Sequence, residues 1–192
     1  MMNYKDLPSK FLDANIIQAD EVEICHFGLE CLFLKIVMFI SYMAIAISMG
    51  RLKEFGIIML VFMPLRRNIG GYHAKTRVGC YFLSCGLLAL ILMACKIQIH
   101  LYTVLILLTG VSVIFWMTMP IDNENKKMDV LEKHFFQVKA RKVILLINVA
   151  VILLLLLNMS YLCKDIVLGM IMELFFLVAG KVQDKDTNIS ND

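Results

Sequence analysis

Apolar runs divide the chain. Leu32 to Met49 is an 18-residue run with one charge, Lys35, close enough to its end to snorkel. Phe55 to Leu65, Tyr81 to Cys95, Leu101 to Met119, Val143 to Cys163 and Ile166 to Gly180 follow. The runs are continuously apolar rather than alternating, which predicts helices and not barrel strands. At 1.5 Å per residue, 18 residues reach about 27 Å, close to the roughly 30 Å of a bilayer core. The Phe55 to Leu65 run would reach only about 16 Å. Arg51, Lys53 and Glu54 precede it and Arg66 and Arg67 follow, so it either spans with snorkelling flanks or inserts in part. Pro64 predicts an irregular exit. The last four runs pair into two hairpins, turning at Lys96–His100 and at Lys164–Asp165. Residues 7–30 differ: Phe11, Leu12, Ile16 and Ile17 fall near helical spacing among Asp13, Asp20, Glu21 and Glu23. That pattern predicts an amphipathic helix on the membrane surface or against the bundle.

Composition sharpens this picture. Of 192 residues, 60% are hydrophobic and 18% charged, against about 45–50% and 25% in soluble domains. With 3 Pro and 10 Gly, a loop-rich β protein is disfavoured. The expectation is an all-α polytopic membrane helical bundle of about six transmembrane or partly inserted helices. It forms one domain over 1–192: an amphipathic segment 1–30, a bundle 32–180 and a frayed polar tail 181–192. The acidic start lacks the basic and apolar regions of a cleavable signal peptide. The six cysteines form no CxxC pair and read as small buried hydrophobes.

A net charge of +3 gives no argument for nucleic-acid binding, but its distribution sets sidedness. Residues 1–30 hold 2 basic and 6 acidic side chains, residues 66–77 hold 4 basic and none acidic, and residues 121–142 hold 6 basic and 4 acidic. Two hairpins put both basic segments and the tail on one side, which Lys and Arg mark as cytoplasmic. If 55–65 crosses, the N-terminus is cytoplasmic too and Arg51 and Lys53 lie outside; if not, the N-terminus lies outside.

Glu173 sits within the last apolar run. It is either a functional carboxyl or a bundle-facing side chain with a local partner. With the hairpins, it carries the alternative reading of a small transporter or peptide-export component without a catalytic cysteine.

The stretch from Arg66 to Cys80 carries the candidate chemistry. It holds Gly70-Gly71, His73, Lys75, Thr76, Arg77 and, at the mouth of the next helix, Cys80. A thiol nucleophile needs a base within about 3 Å. On one continuous helix, His73 and Cys80 would lie about 10 Å apart along the axis. A pair therefore requires a bend, which Gly70-Gly71 permits, and a new helix after Thr76 as N-cap. Cys80 would then fall at the first turn, where the helix dipole, Arg77 and Lys75 favour a thiolate. No HExxH, serine elbow or phosphate loop competes. His26, His100 and His134 are scattered. No metal or cofactor is expected.

Arg66, Gly70, Gly71, His73, Ala74, Cys80 and Ser84 match in order and spacing the signature of the accessory gene regulator B (AgrB) family. Those are bacterial membrane peptidases that process quorum-sensing propeptides. The size, the acidic N-terminal segment and the loop from Pro120 to Lys127 also resemble that family. The resemblance implies that Cys80 is the nucleophile and His73 its base. It also implies that Arg66, Gly71 and Ser84 support activity, with Gly70 in the same motif. It further implies six spans, cytoplasmic termini and a thiol peptidase of the bacterial cell membrane, acting from the cytoplasmic side. The product would be a thiolactone or lactone autoinducing peptide. Its propeptide would have an amphipathic leader and an acidic C-terminal tail, matched by basic residues here. Arg67, Lys75, Arg77, Lys126 and Lys127 are the substrate-binding candidates, although they also meet anionic lipid. Neither route names a third catalytic residue; Asn68 and Ser84 are candidates, and a homodimer could supply one across subunits.

Overall fold

A computed structural model describes residues 18, 21–70, 77–118 and 129–189. Six helices follow in order: α1 (Val22–Ser48), α2 (Leu52–Ile69), α3 (Arg77–Ala94), α4 (Leu101–Met117), α5 (Val130–Leu156) and α6 (Ser160–Ile189). No strand occurs among the described residues. The all-helical bundle that the apolar runs predict is what the chain forms. Two compact units divide it, Met1–Ile45 and Ala46–Asp192.

The described part of the first unit is mostly α1. Its start is a local cap: the Gln18 backbone N–H donates to the Glu21 carboxylate at 2.9 Å. Residues 22–30, expected in a surface helix, run without a break into the apolar run beyond. No proline interrupts them, and Glu21 and Glu23 sit where the dipole favours acids. Ile24, Phe27, Phe33, Ile36 and Ile40 are exposed. By length and composition α1 is the described helix fit to cross a membrane, while Val78–Ala94 and Leu101–Met117 are shorter apolar helices. The remaining interfacial segment of the expectation, 1–17 with 19–20, lies outside the described residues.

In the second unit α6 is central, packed against α2, α3, α4 and α5. Cys163, Met170, Met172 and Phe176 are buried along it. Gly169 allows a close approach to α2: a Cβ there would stand 3.0 Å from the Ile58 carbonyl oxygen and 3.1 Å from the Val61 Cβ. Small residues let membrane helices approach in this way.

Contacts fix the direction of each helix. Val61 meets Gly169 and, further along both chains, Arg66 meets Glu173 and Phe176, so α2 and α6 are parallel. The start of α4, at Leu101 and Val104, shares a cavity of about 320 Å³ with Ser160, Tyr161 and Lys164 at the start of α6, so α4 is parallel too. The Asn148 side-chain amide donates to the Ser112 hydroxyl at 3.0 Å, and the Arg141 guanidinium lies 5.1 Å from the Trp116 ring centre, so α5 runs against α4. Lys164 Nζ donates to the Cys95 carbonyl at 2.7 Å, which sets the end of α3 beside the start of α6. The C-terminal ends of α2, α4 and α6 therefore share one end of the bundle with the N-terminal ends of α3 and α5. The described basic residues Arg66, Arg67, Lys133 and Arg141 lie toward that same end.

Three expectations need correction. First, the short apolar run is the middle of a longer helix, because α2 holds 18 residues and continues for five beyond Pro64. The Asn68 side-chain amide donates to the Pro64 carbonyl at 2.7 Å, stitching the turn after the proline. Second, the last hairpin turns at Leu157–Met159 and not at Lys164–Asp165. Asn158 takes the left-handed conformation there with φ 58°, which Asn adopts more readily than most side chains. Third, the helix of residues 160–189 absorbs Lys164 and Asp165 and carries on through much of the expected frayed tail.

Candidate active site

The site is built where α2 ends and α3 begins. Helix α2 stops at Ile69, and the Gly70 N–H closes its last turn on the Arg66 carbonyl at 3.2 Å. Gly70 has φ 78° and ψ −149°, a conformation open to glycine and strained for other residues. The chain therefore turns where the sequence predicted it to turn. Helix α3 is described from Arg77, and the expected cap Thr76 lies outside the described residues.

Cys80 is the fourth residue of α3 and half-buried. Ser84 is one helical turn further on, on the same face, and buried. Arg67 is exposed at the end of α2, open to a ligand or a lipid headgroup. Asn68, a candidate third catalytic residue, spends its amide on Pro64 as described. Gly71, His73, Ala74, Lys75, Lys126 and Lys127 lie outside the described residues. For Arg77 only the backbone is described.

Arg66 ties this end together. Its Nη1 donates to the Gly70 carbonyl at 3.1 Å. Its guanidinium sits 4.6 Å from the centre of the Phe176 ring on α6. The same Nη1 is 3.9 Å from Oε1 of Glu173, whose side chain is completely buried. Phe176 in turn packs on Phe62 of α2, with ring centres 5.8 Å apart. The sequence marks Glu173 as exceptional but not its partner, which comes from a helix more than a hundred residues earlier. The available signal was general: a buried acid needs a cation, and Arg66 ends an apolar helix. Among the described residues, no group of three or more His, Cys, Asp or Glu side chains could hold a metal ion.

A glycine-bent junction between two apolar helices, with a cysteine at the mouth of the second, defines a helical membrane protein with a thiol at one end of its bundle. The family model of accessory gene regulator B matches residues 6–177, and the chain belongs to that family. This makes it a membrane protein of quorum sensing, with a peptidase-like role in propeptide processing. No curated protein and no solved structure matches the chain.

Proposed function

We propose that the protein is a cysteine endopeptidase of the bacterial cell membrane that cuts a quorum-sensing propeptide and cyclises the product. The observation that carries this reading is that α2 ends at Ile69, Gly70 takes a positive φ, and Cys80 is the fourth described residue of α3. His73 takes the Cys80 thiol proton, and the thiolate attacks the scissile carbonyl carbon. A C–S bond forms, the C–N bond breaks, and His73 gives the proton to the departing amine. The acyl group is now a thioester on Cys80. A thiol within the substrate attacks that carbonyl, releasing Cys80 and closing a thiolactone; a hydroxyl closes a lactone. Thioester exchange is nearly isoenergetic, so that step needs no ATP. Water must be held back, or hydrolysis would compete. The apolar helices around α3 serve that need.

The bundle crosses the membrane several times, with the Cys80 end on the cytoplasmic side, as the basic residues toward that end require. The substrate's acidic tail meets Arg67, Lys75, Arg77, Lys126 and Lys127, and its amphipathic leader lies on the lipid.

The test uses the full chain in lipid vesicles with a synthetic propeptide bearing an amphipathic leader and an acidic tail, read by mass spectrometry. Cys80→Ala abolishes cleavage and the acyl adduct, whereas Cys85→Ala does not. His73→Ala slows cleavage by about 100-fold or more, with partial recovery at high pH. Undiminished cleavage by Cys80→Ala overturns the reading.

A further inference from the structure

Glu173 has no task in that mechanism, and its setting is costly. The side chain is fully buried, and neither carboxylate oxygen accepts a hydrogen bond among the described residues. Its ion pair with Arg66, at 3.9 Å, is longer than a charge-assisted hydrogen bond of about 2.7–2.9 Å. A buried pair of such geometry does not account for itself through stability, because apolar side chains of similar volume often serve as well or better. What the pair does have is direction. Arg66 meets Glu173 and Phe176, both on α6, and the same Nη1 that faces Glu173 donates to the Gly70 carbonyl. Gly70 is the residue at which the chain leaves α2 with a positive φ, seven residues before α3 begins.

We propose that Glu173 is a positioning residue of the active site. From the central helix its carboxylate orients the Arg66 guanidinium, which fixes the Gly70 carbonyl and so the angle at which the chain leaves α2 toward α3. This rests on the peptidase reading above. Glu173 touches neither substrate nor Cys80; it acts through Arg66. The arrangement gives α6 a part in a site whose sequence motif lies wholly between α2 and α3. It also accounts for an acid retained in the middle of an apolar run.

The experiment follows Cys80 itself and needs no substrate. Alkylation of each cysteine by iodoacetamide is timed by peptide mass spectrometry between pH 5 and 10, with the full chain in phosphatidylglycerol vesicles. In the parent protein, His73→Ala slows Cys80 and changes its pH profile. Glu173→Gln, which keeps shape and burial, slows Cys80 at neutral pH by about tenfold or more, the scale of a modest misplacement. It also moves the profile toward that of His73→Ala and leaves Cys85 unchanged. Arg66→Gln does the same, and the double variant is no slower than Arg66→Gln alone, since the two act in series. If Glu173→Gln fails to insert, the apolar pair Arg66→Met with Glu173→Met replaces it, with a slowed Cys80 in a folded bundle as the expected result. A parental Cys80 rate and profile in Glu173→Gln, or effects that simply multiply in the double variant, overturns the proposal while the peptidase reading stands. An unchanged Cys80 in His73→Ala overturns the peptidase reading, and the proposal with it.

Discussion

The two ends of the bundle each carry an arginine–acid pair, and they are built in opposite ways. At one end Arg51 and Glu54, three residues apart on α2, meet at 2.7 Å with about a quarter of each side chain exposed (26% and 24%). At the other, Arg66 on α2 and Glu173 on α6 stand 3.9 Å apart, with 21% of the arginine exposed and none of the acid. The shorter contact is the weaker device. It joins neighbours that the helix already holds together, in reach of water, where such pairs contribute about 0–1 kcal/mol. The longer contact joins two helices and buries an acidic side chain completely. Distance alone would rank them wrongly; burial and chain separation decide what each does when broken.

The largest expected effect breaks the buried pair from one side. Arg66→Met leaves Glu173 buried without its cation, and the cost of such half-removal is about 3–5 kcal/mol. Adding Glu173→Met should restore most of that loss, because an apolar pair of similar volume is often neutral or better. Unfolding in mixed micelles measures both. A double variant as unstable as Arg66→Met would show that the damage lies in Arg66's bonds to Gly70 and Phe176 and not in an orphaned charge.

The next effect sharpens the comparison by moving α6 without touching either charge. Gly169 lies one turn before Glu173 and sits against Ile58 and Val61. Gly169→Val forces the helices apart, since the nearest neighbour is a backbone oxygen that cannot turn aside. Overpacking of this kind costs about 1–3 kcal/mol. Gly86→Val, with nothing within 4 Å of its added Cβ, is the control. If the buried pair depends on close approach, Gly169→Val lowers the coupling between Arg66 and Glu173 in a double-mutant cycle. The pair Arg51 and Glu54, confined to one helix, keeps its coupling.

These contrasts explain what the sequence could disclose. Local signals read well. Apolar length marks the helices, and Gly70 marks the end of α2, because turn chemistry depends on a few adjacent residues. Signals fail where the deciding partner is distant. Lys164 and Asp165 look like a turn because they are charged, yet Lys164 is satisfied by the carbonyls of Cys95 and Ile97, near the end of α3. The turn is taken instead by Asn158, whose backbone preference is a subtler mark than charge. Arg66 stands in the motif on family resemblance, but its bond to Glu173 depends on which face of α6 meets α2, and that register is set by Gly169.

The smallest expected effect concerns the exposed pair. Glu54 lies at the polar margin before the apolar run. Burial works to raise its carboxyl, but hydrogen bonds from its own backbone N–H and from Arg51, with the charges of Arg51 and Lys164, outweigh it and hold the group below the ordinary carboxylate range. A group lowered in the folded state adds stability that is present above its unfolded pKa and is lost as pH falls through the folded one. Arg51→Ala should therefore cost less than about 1 kcal/mol near neutrality. That cost should fade as pH drops through and below the carboxylate range. It should also shrink in 1 M salt, where the Debye length is about 3 Å instead of about 10 Å at 0.1 M. The loss in Arg66→Met should be almost indifferent to salt, because the partner it abandons is out of water's reach. An Arg51→Ala loss as large and as salt-independent as that of Arg66→Met would erase the distinction between the two ends.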